Sequence, residues 1–494
     1  MRVLLASSEV HPYSKTGGLG DMVGAMARAL AEHGHQVGVV TPLYGGSPET
    51  RSGLELLDWR MELPLGNRII KAEVWTLKPH ENLTVYFIRQ REFFDRPGIY
   101  QSRGGQFPDN GERFIFFSKA VTHLGRYLPW KPQVLHLHDW HTGLVPVFVH
   151  HQKLTDGWWQ APPTILTIHN LAYQGNFPAS LFPITNLPQS YFSPEGVEFY
   201  GELNCLKAGI LHANLLTTVS PTYAREITTT REFGHGLEGL LRMRLDSGTL
   251  IGILNGVDYS AWNTTNNPHL VAPYDINNLE GKARNKRALQ AELGLPVMDD
   301  TPLFGNVSRL TGQKGIDLLL RTFQELLPRQ NLQLAMLGNG EETLEIHARQ
   351  LAARFPRQVA VRIGFNEPLA HRIEAGCDFY VMPSYFEPCG LNQMYSLRYG
   401  TIPIVRDIGG LADSVVDPRE CALDNSKLPT GIKFKPYSVH AMAHAVYKAL
   451  RLYKDKPALL QFRTNGMKAD FSWDKTAARY LGIYQDLLAG NFRA

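Results

Sequence analysis

The chain has 494 residues, with 50 basic and 46 acidic side chains, a formal net charge of +4, and 44% hydrophobic against 19% charged residues. That length exceeds one hydrophobic core and predicts roughly two to three domains. The near-balanced charge argues against a nucleic-acid-binding protein, and no apolar run approaches the roughly 18 residues of a membrane-spanning helix.

Met1 to Ala6 is too brief for the core of a signal peptide. The four cysteines, Cys205, Cys377, Cys389 and Cys421, show no CxxC spacing. The expectation is a cytoplasmic protein with reduced thiols, no nucleic-acid or membrane partner, and an oligomeric state that the sequence leaves open.

In chain order, Val3 to Ala6 reads as a short buried strand, followed directly by the glycine-rich loop Ser14 to Asp21, SKTGGLGD. There Lys15 reaches toward a ligand and Gly17, Gly18 and Gly20 keep the backbone open, unless the loop is an ordinary turn with a surface lysine. Val37 to Thr41, Thr84 to Ile88, Val134 to Leu137 and Thr164 to Ile168 follow as β-branched runs separated by helical patterns, so the order predicts parallel βαβ units.

His136 to His141, HLHDWH, invites a metal reading. His136 and His138 share one strand face, whereas His141 lies past the turn and no cysteine or carboxylate completes a familiar ligand spacing, so no metal site is expected. Asp139 is instead placed where strand C-termini open. His169, ending the next strand, either hydrogen-bonds a sugar or is a core histidine satisfied by carbonyls.

Leu254 to Asp258 leads into Trp262 to Pro268, the expected interdomain linker. The second half repeats the pattern with runs at Leu303 to Val307, Leu332 to Leu337, Val359 to Ile363, Phe379 to Met382 and Ile402 to Val405. Ser308 to Gly315, SRLTGQKG, sets Arg309 and Lys314 around Gly312 and is either a diphosphate clamp or a solvated basic loop. Pro383 to Gly400 presents Glu387, Cys389 and Gly390 before a helix, with Glu387 beside a leaving diphosphate. Asp474 is expected to cap a last helix whose apolar face holds Ala477, Leu481, Tyr484 and Leu488. The chain has no Asp-x-Asp pair to hold a divalent cation on a diphosphate, so positive side chains and helix termini must take that role.

These motifs together resemble the glycogen and starch synthase family of glycosyltransferases. The likeness covers nearly the whole chain and rests on KTGGLGD at Lys15, HDWH at His138, IHNLAYQG at Ile168, HGLEG at His235, LNGVD at Leu254, SRLTGQKG at Ser308, FEPCGLNQ at Phe386 and GGLADSV at Gly409. It implies an α/β fold of two Rossmann-like domains facing across a cleft, spanning 1–253 and 254–472, with a C-terminal helix over 473–494 returning to the first. It also implies transfer of glucose from ADP-glucose to an α-1,4-glucan with retention of configuration, and no cofactor.

By this resemblance Lys15, Gly17 and Gly18 meet the donor, Arg309 and Lys314 its diphosphate, and Asp139, His169 and Asn255 the glucosyl and acceptor region. Glu387 and Cys389 match the site loop, and Asp21, Gly390 and Leu391 join the expected substrate contacts. Phe365 either stacks on the adenine or belongs to the core. Asn392 and Gln393 open the helix under the phosphates.

Two positions depart from the family pattern. Tyr395 stands where related transferases often carry a second Glu, so a carboxylate on the ribose is not implied although Tyr395 remains an expected contact. His235 stands where Tyr is more usual. The runner-up readings are a pyridoxal-phosphate glucan phosphorylase, for which no convincing lysine loop is present, and a noncatalytic glucan-binding scaffold.

Overall fold

The computed structural model describes residues 1–45, 53–102 and 105–492, so the last two positions of the expected C-terminal segment lie outside the described residues. The chain divides into two compact units, one of Met1–Gly256 with Trp473–Ala494 and one of Val257–Ser472.

The first unit is built on a sheet whose strands in chain order are β1 (Arg2–Ala6), β2 (Gln36–Pro42), β3 (Glu55–Leu65), β4 (Arg68–His80), β5 (Leu83–Arg89), β6 (Val134–His138), β7 (Thr164–Ile168), β8 (Leu215–Thr218) and β9 (Leu250–Gly252). Their spatial order is β9-β8-β7-β6-β1-β2-β5-β4-β3. The central strands are parallel, with Val3 opposite both Val37 and Val134. Each is a near-continuous apolar run because helices cover both faces.

One expectation is corrected here. The order is not βαβ throughout, because β3 and β4 form an antiparallel hairpin that continues antiparallel onto β5. Their sequences alternate exposed charged and buried apolar residues, as in Arg60-Met61-Glu62-Leu63. That period-2 pattern suits a sheet margin wetted on one face, where an apolar run is not required.

The C-terminal helix Trp473–Leu488 packs into the core of this unit, burying Trp473, Ala477, Tyr480, Ile483, Tyr484 and Leu487. Leu488 is exposed and Leu481 only partly buried. The apolar face is therefore rotated from the expected one, because the aromatic rings of Tyr480 and Tyr484 carry more area than either leucine. Asp474 lies in the first turn, its Oδ1 3.5 Å from His33 Nε2.

The second unit holds β10 (Leu303–Val307), β11 (Gln333–Gly338), β12 (Val359–Ile363), β13 (Phe379–Met382), β14 (Ile402–Arg406) and β15 (Ile432–Phe434). All pair in parallel, in the order β12-β11-β10-β13-β14-β15. Trp262 to Pro268 is not a free linker. Trp262 stacks on Tyr395 at 3.8 Å and on His371 at 4.0 Å, and Asn267 donates to Tyr399 Oη. Its polar composition concealed one indole that anchors it.

Candidate active site

Among the parallel strands of each sheet the direction of strand addition reverses once, and a crevice opens there beyond the strand C-termini. In the second unit the reversal lies between β10 and β13. It brings the loop after β10, containing Arg309 and Lys314, against the loop after β13, containing Glu387, Cys389, Gly390 and Leu391.

Lys314 Nζ donates to both oxygens of Glu387, at 2.9 Å to Oε1 and 2.7 Å to Oε2, and Ser384 Oγ donates to Oε2 at 2.9 Å. The Glu387 side chain is 6% exposed and that of Lys314 21%. A pair this sheltered costs about 3–5 kcal/mol to break from one side, since the remaining charge stays desolvated. Two glycines permit the approach. Gly315 has φ +69, and a side chain there would meet the Pro383 carbonyl oxygen, while Gly390 has φ +69 and faces the Gln393 amide.

Arg309 is exposed and lies in the same loop as Lys314. Cys389 is buried. Its carbonyl accepts from Gln393 Nε2 at 3.1 Å. Leu391 is half-buried and precedes the seven-residue helix Asn392–Arg398. Asn392 turns its amide inward, donating to the Val307 carbonyl at 3.0 Å and to Tyr380 Oη at 2.6 Å. It therefore ties the helix to the β10 terminus. Tyr395 is held against Trp262. Phe365 follows β12 and Gly364 and is 86% exposed, which removes the core alternative.

In the first unit the reversal lies beside β1, between β2 and β6. The loop after β1 is organised by Glu9, a buried carboxylate that accepts from Thr16 Oγ1 at 2.7 Å, the Gly17 amide at 3.1 Å and Tyr100 Oη at 2.7 Å. Sequence reasoning missed Glu9 and Tyr100. The available signal was an acid three residues beyond an apolar strand, a place where a carboxylate needs a reason. With the loop so held, Gly17 and Gly18 are exposed and open space surrounds both Cα atoms. Lys15 pairs with Asp21 at 2.7 Å in an exposed bridge. Such a bridge is worth at most about 1 kcal/mol, so Lys15 is cheaply redirected to a ligand.

Asp139 follows β6 with φ +58 and ψ −176, a region costing a non-glycine residue about 1–3 kcal/mol. Its Oδ1 accepts from the His169 amide at 2.8 Å, which binds the β6 and β7 termini together. Burial raises its carboxyl to about 7 against two backbone amides that lower it. His169 is half-buried and its Nε2 lies 3.1 Å from His138 Nδ1. Burial lowers His169 to about 3 and His138 well below the ordinary histidine value. Both are neutral imidazoles at pH 7, suited to hydrogen bonding and not to carrying charge.

His136 is spent on structure, with Nδ1 2.7 Å from Tyr484 Oη and Nε2 2.6 Å from Thr167 Oγ1. Asn255 is buried and its Oδ1 has no hydrogen-bond partner among the described residues. An unsatisfied buried amide oxygen calls for a donor from outside the chain. His235 sits at φ +50 and its carbonyl accepts from Gln174 Nε2 at 3.2 Å. That contact uses only the backbone.

Comparison with known proteins bears on the family and the fold. Residues 2–243 match the family model of the starch synthase catalytic domain, and residues 293–468 that of glycosyl transferases group 1. The chain is 46% identical over 491 residues to a glycogen synthase of Anaeromyxobacter, covering 99% of this chain and 100% of that one. It is 41% identical over 485 residues to a glycogen synthase of Syntrophotalea carbinolica, covering 98% of each. The solved catalytic domain of starch synthase IV from Arabidopsis thaliana, bound to ADP and acarbose, superposes with a TM-score of 0.87 at 32% identity over 99% of both chains. A sucrose-phosphate synthase of Thermosynechococcus elongatus shares the fold at a TM-score of 0.61 and 18% identity over 99% of both chains.

Proposed function

The chain belongs to the glycogen and starch synthase family of glycosyltransferases, and from that premise we propose that it transfers glucose from ADP-glucose to the non-reducing 4-hydroxyl of an α-1,4-glucan with retention of configuration, acting in the cytoplasm on glycogen. The observation that carries the reading is the buried Lys314–Glu387 pair at the strand reversal of the second unit. It holds an ammonium where a nucleotide diphosphate binds in folds of this class.

The chemistry follows from the charges. The bond between C1 of glucose and the diphosphate oxygen breaks through an oxocarbenium-like state, and a bond from the acceptor O4 to C1 forms on the same face. The proton of the 4-hydroxyl passes to the departing phosphate oxygen, so no protein nucleophile is required. Negative charge grows on the diphosphate as this happens. Lys314 and Arg309 stabilise it, each by roughly 2–4 kcal/mol in a water-poor site.

Lys314 has three donors, of which two are engaged by Glu387. The third is left for the phosphate. Glu387 thus fixes the direction of the ammonium and places a carboxylate near the developing oxocarbenium. Lys15 exchanges Asp21 for the donor, and the exposed Phe365 ring stacks on the adenine. In the first unit His169 hydrogen-bonds the glucosyl group as a neutral imidazole, and the Asn255 oxygen receives a hydroxyl. Asp139 acts through His169, whose loop it positions.

The test is glucose incorporation into a glycogen primer from ADP-glucose and, separately, from UDP-glucose, with chelator present. Transfer mainly from ADP-glucose is expected. A preference for UDP-glucose overturns the donor assignment, and no transfer from either overturns the activity.

A further inference from the structure

His138 is the last residue of β6 and is fully buried, while His169 follows the last residue of β7. The two strands are parallel neighbours with His138 opposite Thr167, so both rings stand at strand C-terminal ends. His169 is held there twice. Its backbone amide donates to Asp139 Oδ1 at 2.8 Å, and its ring nitrogen Nε2 lies 3.1 Å from His138 Nδ1. Nε2 is thereby spent inside the protein, and Nδ1 of this half-buried ring is the nitrogen left for a ligand. Whether that nitrogen donates or accepts decides which ligand atom it can meet.

Burial keeps both imidazoles neutral, so each ring carries one proton, and the hydrogen bond between them uses one of the two. Two arrangements satisfy the contact. In one, His138 Nδ1–H donates to His169 Nε2, which leaves His138 Nε2 as a bare lone pair and places the His169 proton on Nδ1. In the other, His169 Nε2–H donates to His138 Nδ1, which leaves His169 Nδ1 bare and puts an N–H on His138 Nε2. His138 Nε2 decides between them. It is buried without a hydrogen-bond partner among the described residues. The neighbouring His136 ring, 4.5 Å away between centroids, offers it no acceptor, because His136 Nδ1 is engaged by Tyr484 Oη and its Nε2 by Thr167 Oγ1. A stranded buried N–H is rarer in folded proteins than an underused lone pair, so the second arrangement is the costlier one.

We infer that His138 is a positioning residue that fixes His169 as the Nδ1–H tautomer, so that His169 presents a hydrogen-bond donor, not an acceptor, to the glucosyl group. The ligand atom it fits is an oxygen lone pair. His138 itself does not touch the sugar and acts by deciding where the proton of His169 sits. The identity of the ligand rests on the proposed activity, whereas the tautomer rests on the two rings and their partners.

The experiment labels the histidines of the full chain with nitrogen-15 and records two-bond proton–nitrogen correlation spectra, in which Nδ1–H, Nε2–H and doubly protonated rings give different patterns. The His169 signals are those that vanish in His169→Gln. At neutral pH the wild type should show His169 with its proton on Nδ1. His138→Leu, which keeps an apolar filling and lacks a donor, should release the ring to the Nε2–H form and lower kcat/KM for ADP-glucose about 10-fold, the worth of one hydrogen bond whose donor has become an acceptor. His138→Asn, whose side-chain amide can donate from near the place of Nδ1, should restore the Nδ1–H form and most of the lost turnover, which a packing role would not reproduce. His169 as Nε2–H or doubly protonated in the wild type overturns the inference, and that spectrum requires no His138 variant to fold. So does an unchanged tautomer in His138→Leu. A wild type that shows Nδ1–H yet transfers glucose from no donor supports the tautomer and strikes only at the transferase reading.

Discussion

Lys314 Nζ lies within hydrogen-bond distance of both carboxylate oxygens of Glu387, and the carboxylate is the more deeply buried partner. The asymmetry separates two variants that charge alone would treat alike. Lys314→Ala leaves Glu387 buried and unpaired, so it should destabilise the second unit by about 3 kcal/mol as well as lower kcat by on the order of 100-fold. Arg309→Ala should lower kcat similarly while changing stability by under about 0.5 kcal/mol, since Arg309 is exposed. Initial rates and thermal melts on both proteins check this. Near-normal kcat in either removes that residue from the diphosphate clamp.

Glu387→Gln keeps the shape of the pair and deletes its charge. Turnover should fall by on the order of 100-fold with ADP-glucose binding retained, as measured by kcat and by calorimetric titration of the donor. Unchanged turnover would reduce Glu387 to a brace for the loop.

Phe365→Ala should be neutral in a melt, because the ring is 86% exposed. Its KM for ADP-glucose should rise about 10-fold, the worth of one base stacked on one aromatic ring. Inhibition by ADP should weaken in step. A variant with the wild-type KM would show that the ring does not meet the nucleotide.

Stability should fall on both sides of neutrality for opposite reasons. His136 is lowered to about 3, and His138 and His141 lie well below the ordinary value, all by burial first. The unfolded chain binds protons on them below about pH 6.5 while the folded chain does not, so their contribution is whole above that pH and is lost as pH falls. His136 costs about 1.4 kcal/mol by pH 5.5.

Asp139 and Glu374 behave in reverse. Burial raises them to about 7 and about 8, so the folded chain holds protons that the unfolded chain releases, and stability drains away as pH rises from about 4 through those values. Asp139→Asn should therefore raise the melting temperature more at pH 8.5 than at pH 5. An equal shift at both values would show that Asp139 is ionised throughout.

The parallel strands, the two loops after β1 and β10 and the Glu387 loop were legible in the sequence because each is local: an apolar run, then glycine, then charge. Glu9 was not, since its partners Thr16 and Tyr100 become neighbours only when the chain closes. Trp262 was hidden for the same reason, its stacking partners lying more than 100 residues away. Phe365 was ambiguous because an aromatic after a strand reads the same whether it turns inward or to solvent. The hairpin β3–β4 was lost to a search for apolar runs, which alternation does not produce.

Tyr484 Oη, His136, Thr167 Oγ1 and Thr217 Oγ1 form one buried hydrogen-bonded row from the C-terminal helix into the sheet, with the last step at 2.6 Å. The row has a consequence for biosynthesis. The first unit begins with the first strand made, yet its core lacks Trp473, Tyr480 and Tyr484 until the ribosome has passed residue 487. At about 5–20 residues per second the nascent first unit waits through the whole second unit with that groove uncovered. The second unit, continuous in sequence, can complete itself first, which makes the earlier-synthesised half the natural client of a chaperone.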